Sequence, residues 1–355
     1  MFPLAFRHFL RYNEREVMNM SLTDYLLECP VDGVDMAPAI EKVLRERGAC
    51  LLGAGTFYVS GVKMPEGSTL AGLGDATRII LKKEVTDGAA VTMDSFCAVK
   101  DLTFLGDEAV DRFAATEISF DLPDTVGTRH GILFAGTATT KDWTHQPHNS
   151  VIENCRILAF SGGGIACRDT GYSINASMTV SNCHILCCGA GIYIPHYSEY
   201  HKFTNVLCSD NFFGCVNNGG NNMFVNCGFN ANTTAFVIDN RDGKAVNNTH
   251  GSAIGCTFNH SDKNKGVGIA IYGASWGFVF SGGQLGFSKI VVENATGVQF
   301  DNMNFLHTVE IAVRGPKPVL FCGNVFHKPP VISLSDGASV RFSGCFTVDG
   351  EPVEN

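Results

Sequence analysis

The stretch FVNCGFNANTTAFVIDN, Phe224–Asn240, holds two short apolar runs parted by Asn226-Cys227 and Asn-rich turns, and its second run ends on an acid, Asp239. Phe236 and Ile238 alternate with Val237 and Asp239, the two-residue period of a strand. Asn226 is a residue that tolerates a left-handed corner. The first half of the stretch recurs as IENCRI, VSNCHI, FTNVLC, FVNCGF, AIGCTF, FSGGQL, FDNMNF, FCGNVF and FSGCFT. The third positions are Asn154, Asn182, Asn205, Asn226, Gly255, Gly282, Asn302, Gly323 and Gly344, spaced by 28, 23, 21, 29, 27, 20, 21 and 21 residues. VKDLTF, with Asp101 in the Asn place, reads as an earlier copy.

Each copy is followed by a short alternating strand, among them GIACRD, GIYIPH, AFVIDN, GIAIYG, KIVVEN, EIAVRG and VISLSD. Three short strands in 21 residues leave no room for a helix. This predicts an all-β solenoid, a right-handed parallel β-helix, with an Asn ladder along one edge. Cys155, Cys183, Cys227, Cys256 and Cys345 then act as small apolar residues of the interior.

An open solenoid end exposes unpaired strand edges and needs a cap. Ala39, Ile40, Val43 and Leu44 form one apolar helical face that supplies it. We divide the chain into an N-terminal extension, 1–30, and a single β-helix domain, 31–355, whose capping segment is 31–60.

Composition narrows the function. The 355 residues are 45% apolar and carry a formal charge of −9 without a Lys/Arg run, which argues against nucleic acid and anionic membranes as partners. Arg7, His8 and Arg11 interrupt the apolar N-terminus, so we read neither a signal peptide nor a membrane span, and expect a cytoplasmic protein, with a phage particle as the alternative. Most of the fourteen cysteines lie in strand-like runs and none forms a C-x-x-C pair, so reduced thiols are expected, with no metal and no cofactor.

The segment Asp32-Gly-Val-Asp35, the helix after it, the Gly55–Val59 strand and Leu70-Ala-Gly-Leu-Gly74 resemble the pectate-lyase-like β-helix superfamily from about residue 30 onward. The resemblance implies a glycan substrate and homo-oligomers, trimers by analogy. The Asn-Thr-Asp, Asp-Asp, Gly-His-Gly and Arg-Ile-Lys of polygalacturonases and the Trp-Ile-Asp-His of pectate lyases are absent, so no catalytic residue is carried over.

Candidate residues come from the strand pattern instead. If Ile165/Cys167, Ile192/Ile194, Phe236/Ile238, Ile269/Ile271, Ile290/Val292, Ile311/Val313 and Ile332/Leu334 point inward, the residues that follow form an outward column: Arg168, Pro195, Asn218, Asp239, Tyr272, Glu293, Arg314, Ser335. The neighbouring outward column is Ala166, Tyr193, Val216, Val237, Ala270, Val291, Ala312 and Ser333. Asp239 is the leading catalytic carboxylate, Glu293 its partner and Asp242 the next choice. The competing reading of Glu293 is a surface pair with Arg314.

Long insertions after Ala135, Arg168 and Asp239 are expected to wall the column, carrying Asp142, Trp143, His145 and His148 in the first and Arg241, Asp242 and His250 in the last. Trp143 and Trp276 suit sugar stacking; Arg168, Tyr272, Trp143, His145, His148, Trp276, Arg314 and His250 are the substrate-binding candidates. HYSEYH, with His196, Glu199 and His201, reads as a solvated turn rather than a metal or acid/base site.

The expected function is a glycoside hydrolase or transglycosylase acting on a neutral oligosaccharide or polysaccharide. A polysaccharide lyase and a non-catalytic, tailspike-like glycan-binding or structural module remain open.

Overall fold

The corner residues set the course of the chain. Asp101, Asn154, Asn182, Asn205, Asn226 and Asn302 have φ between 50° and 55°, and Gly255, Gly282, Gly323 and Gly344 between 61° and 65°. Every copy of the sequence pattern is therefore a left-handed corner, which Gly and, less readily, Asn and Asp occupy. Asn205 Nδ2 donates to Asn182 Oδ1 at 2.8 Å, and Asn154 Nδ2 to Asp101 Oδ1 at 3.1 Å. The continuous ladder expected from the sequence is interrupted where glycine takes over: a Cβ on Gly255 would lie 2.6 Å from Asn226 Oδ1.

The computed structural model describes residues 25–29, 33–107, 126–135, 148–168, 175–196, 198–241, 249–259, 266–273, 276–287 and 289–354. Between corners the strands stack in parallel as a right-handed β-helix. One sheet has 11 strands, from Val62–Lys63 to Val331–Ser335; a 23-stranded array, creased at the corner column, forms the other faces. In the 11-stranded sheet Ile192 pairs with Cys215, Cys215 with Phe236, Phe236 with Ile269, and the column continues through Ile290 and Ile311 to Ile332.

That column faces the core, where Phe280, Phe300 and Phe321 stack at centroid separations of 5.1 and 4.7 Å. Each such side chain, removed from water, stabilises the fold by about 1.5–3 kcal/mol. Cys155, Cys183, Cys227, Cys256 and Cys345 are buried, and each thiol points to the carbonyl two residues earlier, as Cys183 Sγ does to Ser181 O at 3.2 Å. None of the fourteen cysteines is in a disulfide.

The cap is a helix, Ala37–Arg47, that buries Ala37, Ile40 and Leu44 and rests Ala39 and Val43 on the same core. Gly48, at φ 74°, ends it by donating to Leu44 O. Glu41 Oε1 accepts from the Lys63 amide at 2.9 Å, tying the helix to the first strand of the 11-stranded sheet. Leu26–Leu27 pairs with Leu51 and Leu52, so pairing already begins within the stretch assigned above to the extension, whose residues 1–24 lie outside the described ones.

At the opposite end, Ile332 and Leu334 keep the register of the interior stack but are 36% and 50% exposed. Among the described residues no coil stacks beyond Val331–Ser335 to cover them.

Candidate functional site

The polar column forms in the anticipated register. Asp239 pairs with Tyr272, Tyr272 with Glu293, Glu293 with Arg314 and Arg314 with Ser335, all at the ends of strands in the 11-stranded sheet. The neighbouring column is not open along its length. Ala166, Val216, Val237 and Ala270 are buried; Val216 and Val237 pack with Ala190, Phe213, Phe212, Tyr193 and Val126. Sequence periodicity separates inward from outward residues but does not tell what lies over the outer face.

Where that cover ends, a groove of about 550 Å³ opens over the last coils, lined by Arg241, Tyr272, Lys289, Val291, Glu293, Ala312, Arg314 and Ser335 among others. At its head Arg241 holds Asp239 with two hydrogen bonds, Nε to Oδ1 at 2.9 Å and Nη2 to Oδ2 at 2.7 Å. The hydrogen bond to Asp239 raises the Arg241 pKa above its ordinary value, against the opposing effect of burial. The Asp239 amide donates to Asn218 Oδ1 at 2.8 Å, fixing the backbone from the coil below. Both carboxylate oxygens therefore serve as acceptors in a fixed orientation.

The Arg241 guanidinium also lies 4.3 Å from the Tyr272 ring centroid. Tyr272, a substrate-binding candidate from the sequence, is only 2% exposed, and its ring is a floor for Arg241. Glu293 stands two strand steps from Asp239, about 9.6 Å at the backbone. Among the described residues its side-chain partner is Arg314, at 3.5 Å, and Arg314 also reaches Asp336 at 3.7 Å and Ser335 Oγ at 3.3 Å. Lys289, on the floor of the groove, pairs with Glu310 at 3.0 Å. The roles of Arg241 and Lys289 were missed in the sequence; the Asp-x-Arg spacing of Asp239 and Arg241 was the available signal.

The other candidates divide. Arg168 is exposed at the far end of the column, three strands from Asp239, about 14 Å away and outside the groove. His148 packs edge-on against Phe96 at 4.8 Å, four strands from His250, and does not join it. His250 and Trp276 are neighbours, with ring centroids 5.1 Å apart, and Trp276 is 66% exposed and outside the core. Asp142, Trp143, His145 and Asp242 lie outside the described residues.

The solvated turn expected at HYSEYH is overturned. Ser198–Glu199 is a strand paired with Asn175–Ala176, and His196, Glu199 and His201 are buried. His201 faces the interior, accepting from the Met178 amide at Nδ1 (3.0 Å) with Nε2 3.7 Å from Cys167 Sγ. Burial drives its pKa down to about 3 and pushes the Cys167 thiol up to about 12, so a neutral imidazole sits beside a neutral thiol. Among the described residues no three metal-capable side chains gather.

No protein-family model and no curated protein matches the chain. Solved structures do. The A-module of the Azotobacter vinelandii mannuronan C-5 epimerase AlgE4 superposes with a TM-score of 0.63 at 15% identity, covering 91% of this chain and 94% of that one. The tailspike of Escherichia coli bacteriophage HK620, in complex with a hexasaccharide, gives 0.57 at 12% identity over 92% of this chain and 66% of that one. The catalytic domain of a GH87 alpha-1,3-glucanase, in complex with tetrasaccharides, gives 0.56 at 13% identity over 91% and 69%. At such identities the shared property is the parallel β-helix fold.

Proposed function

We propose that the chain is a carbohydrate-active enzyme, a glycoside hydrolase or transglycosylase that takes a neutral glycan into the groove over the 11-stranded sheet. The observation that carries this reading is the pair Asp239 and Glu293, on one column of one face, two strand steps apart beside a 550 Å³ groove. Backbone separation near 10 Å is compatible with the roughly 5 to 9.5 Å between carboxyl groups that glycoside hydrolysis uses. Asp239, held by Arg241, acts as the acceptor that activates water or attacks the sugar; Glu293, at the rim with one cationic contact, donates the proton to the leaving oxygen. The glycan-bound tailspike and glucanase support the same substrate class for this fold.

Neutral substrates are favoured by charge pairing. Arg241 is paired with Asp239, Lys289 with Glu310, and Arg314 with Glu293 and Asp336. A uronate would have to compete with these acids. The three cations are also what favours the second reading, a polysaccharide lyase in which one of them neutralises the uronate carboxylate. Digestion of a panel of neutral and uronate-containing glycans, followed by mass analysis of products, separates the two: hydrolysis adds water, whereas a lyase leaves an unsaturated sugar that absorbs in the near ultraviolet. Binding without cleavage of any member would favour a non-catalytic module.

A further inference from the structure

The two ends of the solenoid are finished differently. The helix Ala37–Arg47 closes the first. At the last, the tail folds back on Phe346–Thr347: Phe346 bridges to Pro352, Thr347 N donates to Glu351 O at 2.8 Å and Val353 N to Cys345 O at 2.9 Å. The strand Val331–Ser335, which ends the 11-stranded sheet, has no such cover among the described residues, and all five of its residues are exposed.

Its outer edge is fit for pairing. Val331 N donates to Val309 O and Ser335 O accepts from Gly315 N, so the odd-numbered residues bond to the coil before. Backbone groups alternate along a strand, which turns the N–H and C=O of Ile332 and Leu334 towards the uncovered side. The run Val-Ile-Ser-Leu-Ser contains neither charge nor proline, the residues that keep an edge from pairing. Ile332 and Leu334 also carry their side chains in register with the core column, so whatever covers the edge covers them.

We propose that this edge pairs antiparallel with the same edge of a second copy of the chain, about a twofold axis at Ser333, joining two solenoids end to end. The symmetry follows from the strand itself. Ile332 and Leu334, whose backbone groups face the edge, flank Ser333, so Ile332 meets Leu334 of the second copy and each such pair exchanges both N–H···O bonds. Their side chains then continue the apolar interior across the junction. Charge agrees with this direction: the exposed Lys328 before the strand comes to the end where the second copy has its exposed Asp336, and the two Asp336 stay at opposite ends. The groove also reaches the interface. Ser333 and Ser335 belong to its lining, and in the pair Val331 of the second copy stands beside Ser335. The dimer does not depend on what the groove binds, and its end-on contact differs from the trimer that the family resemblance implies.

Sedimentation and light scattering of the full chain at micromolar concentration are expected to give twice the 38.2 kDa of one chain. Ser333→Cys sets two thiols at a non-hydrogen-bonded pair, about 4.5 Å apart at Cα and within reach of a disulfide, so mild oxidation should link two chains. Ser335→Cys, which faces Val331 instead of itself, should give no link, and neither should wild type with its partly exposed Cys29, Cys187 and Cys322. Ile332→Lys with Leu334→Lys brings cations face to face and should leave folded single chains by circular dichroism; Ile332→Lys with Leu334→Glu faces unlike charges and should restore the dimer. A single-chain or three-chain mass for wild type would overturn the proposal. So would a link in Ser335→Cys but not in Ser333→Cys, or a dimer that survives the double lysine substitution. If that variant does not fold, the two cysteine variants decide by themselves.

Discussion

Arg241 joins two coils of the site: it closes on both oxygens of Asp239, at 2.9 and 2.7 Å, while its guanidinium lies 4.3 Å from the centre of the Tyr272 ring. The acid is thereby aimed by a cation from its own strand end and supported by a ring from the next coil. If Asp239 is the acceptor in catalysis, Asp239→Asn should lower turnover by about 10² to 10⁴. The pair is partly solvated, so the same substitution should change stability by only about 0–1 kcal/mol. Steady-state kinetics on a substrate from the glycan panel, beside a melting curve, checks both, and wild-type turnover would rule the assignment out.

Glu293 separates catalysis from surface pairing by a different ratio. As proton donor, it should show in Glu293→Gln a turnover loss comparable with that of Asp239→Asn, whereas a mere partner of Arg314 at 3.5 Å would cost less than about 1 kcal/mol of stability and no activity. Substrates with better leaving groups should rescue the variant only in the first case.

The corner column is tested at Asn205, which has φ 54° and donates to Asn182. Asn205→Leu places a γ-branched side chain in the left-handed region and removes the hydrogen bond, with an expected cost of about 1–3 kcal/mol in urea unfolding. Asn205→Gly loses only the hydrogen bond and should cost less. Equal losses would mean that the side-chain bond, not the backbone, decides the corner.

What was legible in the sequence was whatever repeats with the coil. Asn154, Asn182, Asn205 and Asn226 mark the corner because few residue types accept φ near 55°, and Asp239, Tyr272, Glu293 and Arg314 fall into line because the strands alternate. Two other left-handed columns, one with Phe96, Asn149, Ser177, Tyr200 and Asn221 and one with Ala159, Cys187, Asp210 and Ala231, gave no signal, since they mix residue types and show no repeated one. Burial outside the barrel of the coil was equally silent. Nothing in the local pattern of Val237 or Glu199 tells that both are buried.

The thiols should be free but unequally accessible. Cys29, Cys187 and Cys322 are partly exposed, whereas the remaining eleven are buried, and burial pushes Cys50 and Cys188 up to about 12. A thiol reagent should modify at most these three in the native protein and all fourteen after denaturation without reductant. A deficit in the denatured count would reveal bridges, contrary to the reduced interior.

Acid should loosen the fold well above the range in which most carboxylates titrate. Burial lowers His201 to about 3 and His130 to about 4, from an ordinary 6.5. Between those values the unfolded chain binds protons that the folded chain refuses, so stability is full above about pH 6.5 and falls as pH drops through the window, by up to about 1.4 kcal/mol per pH unit for each histidine. Urea midpoints measured from pH 8 to 5 should therefore decline on the acid side. His201→Gln keeps an acceptor for the Met178 amide but cannot titrate, so its slope should be shallower by about one proton. An identical slope in wild type and variant would show that His201 is not the buried neutral group described.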